Sequence, residues 1–284
     1  MKTLLYPNFS KTNAYDCTKK AIDILLSLGF EVMLDGQYKN SLEAGGVTFG
    51  SFEELAERCD IIIAIGGDGT IIRASKYAAP NKKKMLGINT GRLGFMASIE
   101  AGELDKLKNL KTGEYTFDRR MMLSAAVEKA GKTESFTALN DVVVAKQILS
   151  KLPDFELDSN GVRVSRVRSD GVVFSTPTGS TAYALSAGGP IIEPDVKCIE
   201  VTQLSAHSLF TRPMIFSSKK VLTLTCKRYD SGDVILQIDG KHSGTIDEDT
   251  ILTITESDDY VDIINIDGPV FYRAVNEKLM TSMK

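Results

Sequence analysis

At 284 residues, with 43% hydrophobic and 25% charged side chains, the chain has the composition of a globular protein and length enough for one or two domains. A formal net charge of -3 supplies no general basic footprint, and no apolar run approaches the ~20 residues of a transmembrane helix, so neither nucleic acid nor a membrane is an expected partner. The opening Met1-Lys2-Thr3-Leu4-Leu5-Tyr6-Pro7 breaks far short of a signal-peptide apolar region, and the expected location is cytoplasmic.

Apolar side chains at Ala14, Cys17, Ala21, Ile24, Leu25 and Leu28 form a helical stripe that stops at Gly29, and Phe30-Glu31-Val32-Met33-Leu34 reads as the strand that follows. Glu53 to Arg58 suggests a short helix before Ile61-Ile62-Ile63-Ala64-Ile65, an unbroken apolar strand of the kind buried on both faces of a parallel sheet. A helix is expected to begin near Thr70, carrying Ile71, Ile72 and Ala74 inward, and Met85-Leu86-Gly87-Ile88-Asn89 is the next strand. This alternation predicts a doubly wound α/β domain. Beyond about residue 115 the texture changes to short Val/Ile/Thr-rich segments at 121–128, 140–145, 171–175, 221–226, 233–238 and 250–255, a mostly antiparallel β pattern. Phe271 to Met280 reads as one more helix. The expected organisation is an α/β phosphate-binding domain over 1–115, a β-rich, sandwich-like domain over 116–265, and a C-terminal segment, 266–284, that returns to the first domain.

Cys17, Cys59, Cys198 and Cys226 contain no C-x-x-C pair, and His207 and His242 are the only histidines. Reduced, mostly buried thiols are expected rather than structural zinc. His207 has no Ser/His/Asp spacing around it and reads as structural.

Gly66-Gly67-Asp68-Gly69-Thr70 stands between a buried strand and a helix, where free N–H groups and the helix dipole favour an anion. A tight strand-to-helix turn would explain the glycines, but not a carboxylate in the middle. Asp68 would repel phosphates unless a cation or a substrate hydroxyl sits beside it, which points to Mg²⁺ coordination or to deprotonation of an attacking hydroxyl. A second glycine-rich loop, Asn89-Thr90-Gly91-Arg92-Leu93-Gly94-Phe95, follows the next strand at the edge where open α/β sheets bind ligands. Arg92 and Arg73 are candidate phosphate contacts, with solvated arginines as the plain alternative. Ser169 to Pro190, with the run Ser175-Thr176-Pro177-Thr178-Gly179-Ser180-Thr181-Ala182-Tyr183, takes a strand into a hydroxyl-rich turn. One of Thr178, Ser180 or Thr181 could cap a helix there, and the surplus hydroxyls suit a pocket for sugar and phosphate groups and a flat ring. No Walker sequence is present, so the glycine-rich backbone must do much of the phosphate binding.

With Leu139-Asn140-Asp141 added, these segments resemble the NAD kinases in order and spacing over most of the chain, whereas Gly66–Thr70 alone is shared with diacylglycerol-kinase-like and phosphofructokinase-like enzymes. The resemblance implies phosphorylation of the 2′-hydroxyl of the adenosine ribose of NAD, with Asp68 as the base and Gly69 beside it at the substrate. Gly66, Gly67, Gly69 and Thr70 would bind phosphate. Asn140 and Asp141 would hold adenine and ribose, and Asp170 would lie near the nicotinamide end. Thr178, Thr181, Ala182, Tyr183 and Ser186 would line the NAD site, Tyr183 by stacking on a base. Arg73, Lys151, Arg168 and Lys241 are weaker basic contacts to the same substrate. The resemblance also implies ATP, or polyphosphate in some members, as donor, Mg²⁺ or another divalent cation accompanying ATP, and homodimers or homotetramers. A diacylglycerol-type lipid kinase and a non-catalytic NAD-sensing protein are the alternatives.

Overall fold

The computed structural model describes residues 1–42, 44–91, 94–147, 151–208, 211–227 and 234–280, so Arg92 lies outside the described residues. By its internal contacts the chain divides into two compact units, one formed by Met1–Arg120 with the chain from Tyr260 onward, the other by Met121–Asp259. The composition change near Gly113 and the strand pattern put the boundaries at 115/116 and 265/266. Long strands account for the difference, because each places its two ends in different units.

In the first unit the elements run β1 (Lys2–Pro7), α1 (Ala14–Ser27), β2 (Glu31–Asp35), β3 (Val47–Gly50), α2 (Phe52–Arg58), β4 (Ile61–Gly66), α3 (Asp68–Ala78), β5 (Lys84–Asn89), the short β6 (Ile99–Glu100) and α4 (Lys108–Thr112). The strands are parallel in the order β5-β4-β1-β2-β3. Every residue of β4 is buried, as its unbroken apolar sequence demands. Helix α1 buries Ala14, Cys17, Thr18, Ala21, Ile22 and Leu25, while Ile24 and Leu28 stay partly exposed. It ends as its sequence suggests: Phe30 N–H reaches Leu25 O, Gly29 N–H reaches Leu26 O, and Phe30 packs into the same core as Leu25. Ser51 caps α2 by accepting Glu54 N–H at 3.3 Å.

Chain order runs outward from β1 to β2 and β3, then crosses back to β4 on the other side of β1. Such a reversal opens a crevice at the C-terminal ends of β1 and β4, and the Gly66–Thr70 turn lies at that edge. Helix α3 starts at Asp68, two residues before the expected Thr70, so Asp68 itself stands in its first turn. The expected final helix is α-helical only over Phe271–Val275, then continues as a π-helical turn over Asn276–Met280. Phe271 and Ala274 bury against Phe95 within this unit.

The second unit is built from β7 (Thr116–Lys129), β8 (Lys132–Ala138), β9 (Asp141–Lys146), β10 (Asp154–Ser159), β11 (Val162–Arg168), β12 (Gly171–Ser175), the single-turn α5 (Tyr183–Ser186), β13 (Cys198–Leu204), β14 (Met214–Ser217), β15 (Leu222–Lys227), β16 (Val234–Ile238), β17 (Lys241–Ile246) and β18 (Ile251–Asn265), the residues of β7 before Met121 and of β18 from Tyr260 belonging to the first unit. One antiparallel sheet has the order β14-β13-β12-β9-β16-β17. Strands β11, β10, β15 and the start of β18 form the facing layer. Alternate residues of both layers, among them Val142, Val144, Phe155, Leu157, Phe174, Val201, Leu224, Leu236 and Leu252, fill one core. The fold is therefore an α/β domain with a doubly wound sheet plus a β-rich, sandwich-like domain. Strands β8, β10, β11, β13, β14 and β17 were not singled out; the outward faces of β8, β10 and β11 carry charged residues that dilute the apolar pattern, and β14 is only four residues long.

Truncating a β4 side chain tests the parallel core. Ile63 is fully buried, and Ile63→Ala is expected to lower unfolding free energy by about 2–5 kcal/mol, measured by urea denaturation.

Candidate active site

In the first unit the carboxylate of Asp68 accepts two backbone hydrogen bonds from the second glycine-rich loop, from Phe95 N–H at 2.8 Å and Met96 N–H at 3.3 Å. The loop can come that close only because residue 94 is glycine, since a Cβ there would overlap the Asp68 carboxylate. Gly66 is demanded by an internal contact too, with Thr70 Oγ1 in the place a Cβ would take. Gly67 and Gly69 differ: a Cβ at 67 meets nothing within 4 Å, and one at 69 meets only Arg73 Nη1 at 3.8 Å. The open surface of the turn is thus at Gly67 and Gly69, over the first turn of α3, where Thr70 N–H and Ile71 N–H turn back to Gly67 O and the N–H groups of Asp68 and Gly69 precede the first helical carbonyl.

Thr70 is buried, and its hydroxyl oxygen accepts from Arg73 Nη2 at 3.3 Å and from Asn8 Nδ2 at 3.4 Å. Its role is to tie the turn to β1 and α3. Arg73 also lines a cleft of about 380 Å³ with Asn8, Asp35, Tyr38, Glu53 and Tyr77. Asn89 fastens the second loop by bonding both N–H and O of Gly91, while Thr90 N–H bonds Gly66 O.

In the second unit Asn140 and Asp141 stand at one end of β9, opposite Ser175 of β12 and next to the turn after β16. That turn supplies Asp239, whose carboxylate gathers three successive N–H groups: Asn140 at 2.8 Å, Leu139 at 3.1 Å and Asp141 at 3.2 Å. On the other side the post-β12 loop clamps the same segment, with Thr176 Oγ1 donating to Leu139 O at 2.6 Å and Gly179 lying where any Cβ would collide with Asn140 O. Asn140 and Asp141 are 8% and 5% exposed. Among the described residues the buried Asn140 Oδ1 has no hydrogen-bond partner. Burial, with a smaller contribution from the Asp239 charge, raises the Asp141 carboxyl from 3.8 to about 7.

The helix-cap reading of the hydroxyl run needs correction. No side chain caps either the Gly179–Thr181 turn or α5. Gly179 N–H instead bonds Thr176 Oγ1, Ser180 Oγ ties down Ile192 N–H at 2.9 Å, and Thr181 Oγ1 bonds Thr178 O. These hydroxyls fold the loop back on itself. Toward the other end of β9, Ala145, Lys146, Asp170, Tyr183, Ser186 and Ser205 line a cleft of about 600 Å³. Lys146 Nζ lies 3.6 Å from Asp170 Oδ1, and Tyr183 is 44% exposed.

Residues 4–115 match the family described as the ATP-NAD kinase N-terminal domain, and residues 139–266 match the ATP-NAD kinase C-terminal domain. The chain is 34% identical to the NAD kinase of Caldanaerobacter subterraneus subsp. tengcongensis over 98% of both chains. It is 36% identical to that of Natranaerobius thermophilus over 97% of this chain and 96% of the other. The chain belongs to the NAD kinase family. Among solved structures, a yeast NADH kinase complexed with NADH superposes with a TM-score of 0.91 at 22% identity, covering 100% of this chain and 89% of that one. An NAD kinase from Archaeoglobus fulgidus in complex with ATP gives 0.74 at 25% identity, covering 99% and 98%.

Seen as a member of the NAD kinase family, the chain shows which expected residues share a location. In the first unit Gly66, Gly67, Asp68, Gly69, Thr70 and Arg73 are grouped on one turn. In the second, Asn140, Asp141, Thr178, Thr181 and Ala182 gather at the clamped end of β9, and Asp170, Tyr183 and Ser186 share the cleft. Arg168 is not in that cleft: its guanidinium bonds Asp154 at 2.8 and 3.4 Å. Lys151 and Lys241 are exposed and line neither cleft named here. Lys146 was missed, and Asp239 was read only as part of Ile238-Asp239-Gly240-Lys241, a loop resembling a late family loop near the ligand, with Lys241 as its candidate contact. Nothing local marks Lys146.

All four cysteines are buried, and burial pushes Cys17 and Cys59 up to about 11, so these thiols are poor nucleophiles. No described helix is long and apolar enough to cross a membrane.

Asp141 gives a pH signature. Its raised folded pKa means that folding favours the protonated carboxyl, a contribution complete below 3.8 and lost as pH rises through about 7. Asp141→Asn removes the cost of an ionised buried carboxylate. Its stability relative to the parent is expected to be about 2 kcal/mol greater at pH 8.5 than at pH 5.5, read from denaturation curves at both values.

Proposed function

We propose that the chain transfers the γ-phosphoryl group of ATP to the 2′-hydroxyl of the adenosine ribose of NAD, with Asp68 taking the hydroxyl proton. The observation that carries the acceptor reading is the clamped end of β9, where a buried, unpartnered Asn140 Oδ1 stands beside Asp141. An adenine amino group is a donor for the amide oxygen, and ribose hydroxyls are donors for the carboxylate. Asp141, Val143 and Ala145 alternate onto one face of β9, so the lining of the cleft starts four residues on, about 13 Å away. That spacing suits a long dinucleotide, with Tyr183 offering a ring to stack and Asp170 and Lys146 meeting the far end.

Asp68 is suited to a base because its two backbone hydrogen bonds fix the carboxylate while leaving lone pairs for a hydroxyl proton. The open N–H groups at Gly67 and Gly69 are available for the donor phosphates. Among the described residues no cluster of three His, Cys, Asp or Glu could hold a metal. A divalent cation therefore fits as a companion of the ATP phosphates, where it would neutralise charge during transfer. The cleft residues Lys146, Asp170, Ser186 and Ser205 are a poor lining for a lipid tail, and the relatives that span almost the whole chain are kinases rather than sensors. We further place the protein in the cytoplasm as a homodimer or homotetramer, which light scattering of the purified chain checks.

Incubation with Mg²⁺-ATP and NAD, followed by an NADP-dependent dehydrogenase, is expected to reveal NADP. Diacylglycerol in a parallel reaction should give no phosphatidate; the reverse pattern overturns the acceptor assignment. Asp68→Asn is expected to retain NAD binding and lose about 10²–10⁴-fold in kcat. Near-parental kcat would remove Asp68 from the role of base. Asp239→Asn should loosen the Leu139–Asp141 segment, raising KM for NAD about tenfold with KM for ATP unchanged, as measured by steady-state kinetics.

A further inference from the structure

Glu200, on β13, is a fully buried carboxyl. Its Oε1 accepts from Thr202 Oγ1 at 2.8 Å, and among the described residues its Oε2 has no hydrogen-bond partner. Burial raises its pKa from 4.5, with the Thr202 hydrogen bond opposing the shift, so the neutral carboxyl is favoured. Ile199 and Val201 on either side of it point into the sandwich core, which turns Glu200 onto the face of the sheet that carries α5. Cross-strand pairing sets it opposite Ser175 of β12, and Ser175 opposite Asp141 of β9, so Glu200 and Asp141 share one row of that face, two strands or about 10 Å apart. An unpartnered buried oxygen is costly where an aliphatic side chain would serve, and its presence calls for a compensating role.

That role lies in what rests on the carboxyl. Gly189 is buried, and a Cβ there would overlap Glu200 Oε1 and stand 2.9 Å from Ala184 O. Its φ is outside the left-handed region, so close packing and not backbone conformation demands the glycine. Gly189 in turn closes the end of α5: its N–H bonds Ala184 O at 2.9 Å, next to Gly188 N–H on Leu185 O and Ala187 N–H on Tyr183 O. The post-β12 loop is therefore seated on the sheet at two glycines, Gly179 on Asn140 O near its start and Gly189 on Glu200 near its end. Tyr183 and Ser186 reach the cleft from between these two seats. We propose that Glu200 is a positioning residue for the NAD substrate, its carboxyl seating Gly189 and thereby fixing where α5 presents Tyr183 and Ser186. The proposal rests on the NAD reading of that cleft, and Glu200 acts through Gly189 without touching the substrate.

Steady-state kinetics, calorimetric titration with NAD and thermal unfolding of substituted full chains test the role. Gln reproduces the neutral carboxyl in shape and still accepts from Thr202, so Glu200→Gln should keep KM for NAD within about twofold of the parent's. Leu ends one atom short of the carboxyl oxygens and leaves Gly189 without its seat. Glu200→Leu should raise KM and Kd for NAD about tenfold while KM for ATP stays unchanged. Its unfolding midpoint should stay within a few degrees of the parent's, because loss of the unpartnered Oε2 offsets loss of the acceptor for Thr202. Gly189→Ala should raise KM for NAD to a similar extent, and adding Glu200→Ala to it should recover part of that loss by making room for the new Cβ. A parental KM for NAD in Glu200→Leu, a Glu200→Gln chain as impaired as Glu200→Leu, a marked fall in the stability of Glu200→Leu, equal losses toward ATP and NAD, or no recovery in the double variant would each overturn the positioning role. A parent chain that neither forms NADP nor binds NAD would instead overturn the kinase reading, and this proposal with it.

Discussion

In both units the candidate site is set by the approach of a glycine's backbone to a neighbouring polar group, the Asp68 carboxylate or the Asn140 carbonyl, at a distance that no side chain permits. Gly94 lets the second loop of the first unit lie on Asp68, and Gly179 lets the post-β12 loop lie on Asn140. Everything polar follows from those two approaches. Asp68 is oriented because Phe95 and Met96 can reach it, and the Leu139–Asp141 segment is held between Thr176 on one side and Asp239 on the other. Side chains at either glycine would force the loops apart and leave a carboxylate or a carbonyl without its geometry.

The two carboxylates stand in different environments, each suited to the role proposed for it. Asp68 is partly exposed and braced by two amides, an environment that fixes direction. Asp141 is nearly sealed and sits beside the Asp239 charge, an environment that holds its proton to near neutrality. A group that must accept a proton from a hydroxyl benefits from fixed orientation. One that pairs with ribose hydroxyls tolerates either state, because a carboxyl and a carboxylate both accept hydrogen bonds. Asp239 takes three N–H groups, which is what lets it shape the loop.

Several conserving features of the design are architectural rather than chemical. The reversal of strand order between β1 and β4 opens the crevice at which the Gly66–Thr70 turn stands, and Thr70 locks that turn to Asn8, just past the end of β1. In the second unit, antiparallel alternation sends Val142 and Val144 into the core and Asp141, Val143 and Ala145 to the opposite face, where Ala184 of α5 covers the middle. One strand thereby supplies both core and site.

The sequence by itself determined the parallel core, the two glycine-rich loops and the family, because buried parallel strands and phosphate turns are written in consecutive residues. Ile61–Gly66 needs no partner to be recognised as buried, and Gly66–Thr70 none to be recognised as an anion turn. Only the tertiary structure decided that Gly66 and Gly94 serve internal contacts, that the hydroxyls of Thr176, Ser180 and Thr181 hold the loop rather than cap a helix, and that Arg168 turns to Asp154. It also brought Asp239 to residues some hundred positions earlier in the chain and Lys146 to Asp170. These are long-range pairings of backbone donors and charged side chains, and their energy depends on distance in space, for which sequence spacing carries no signal.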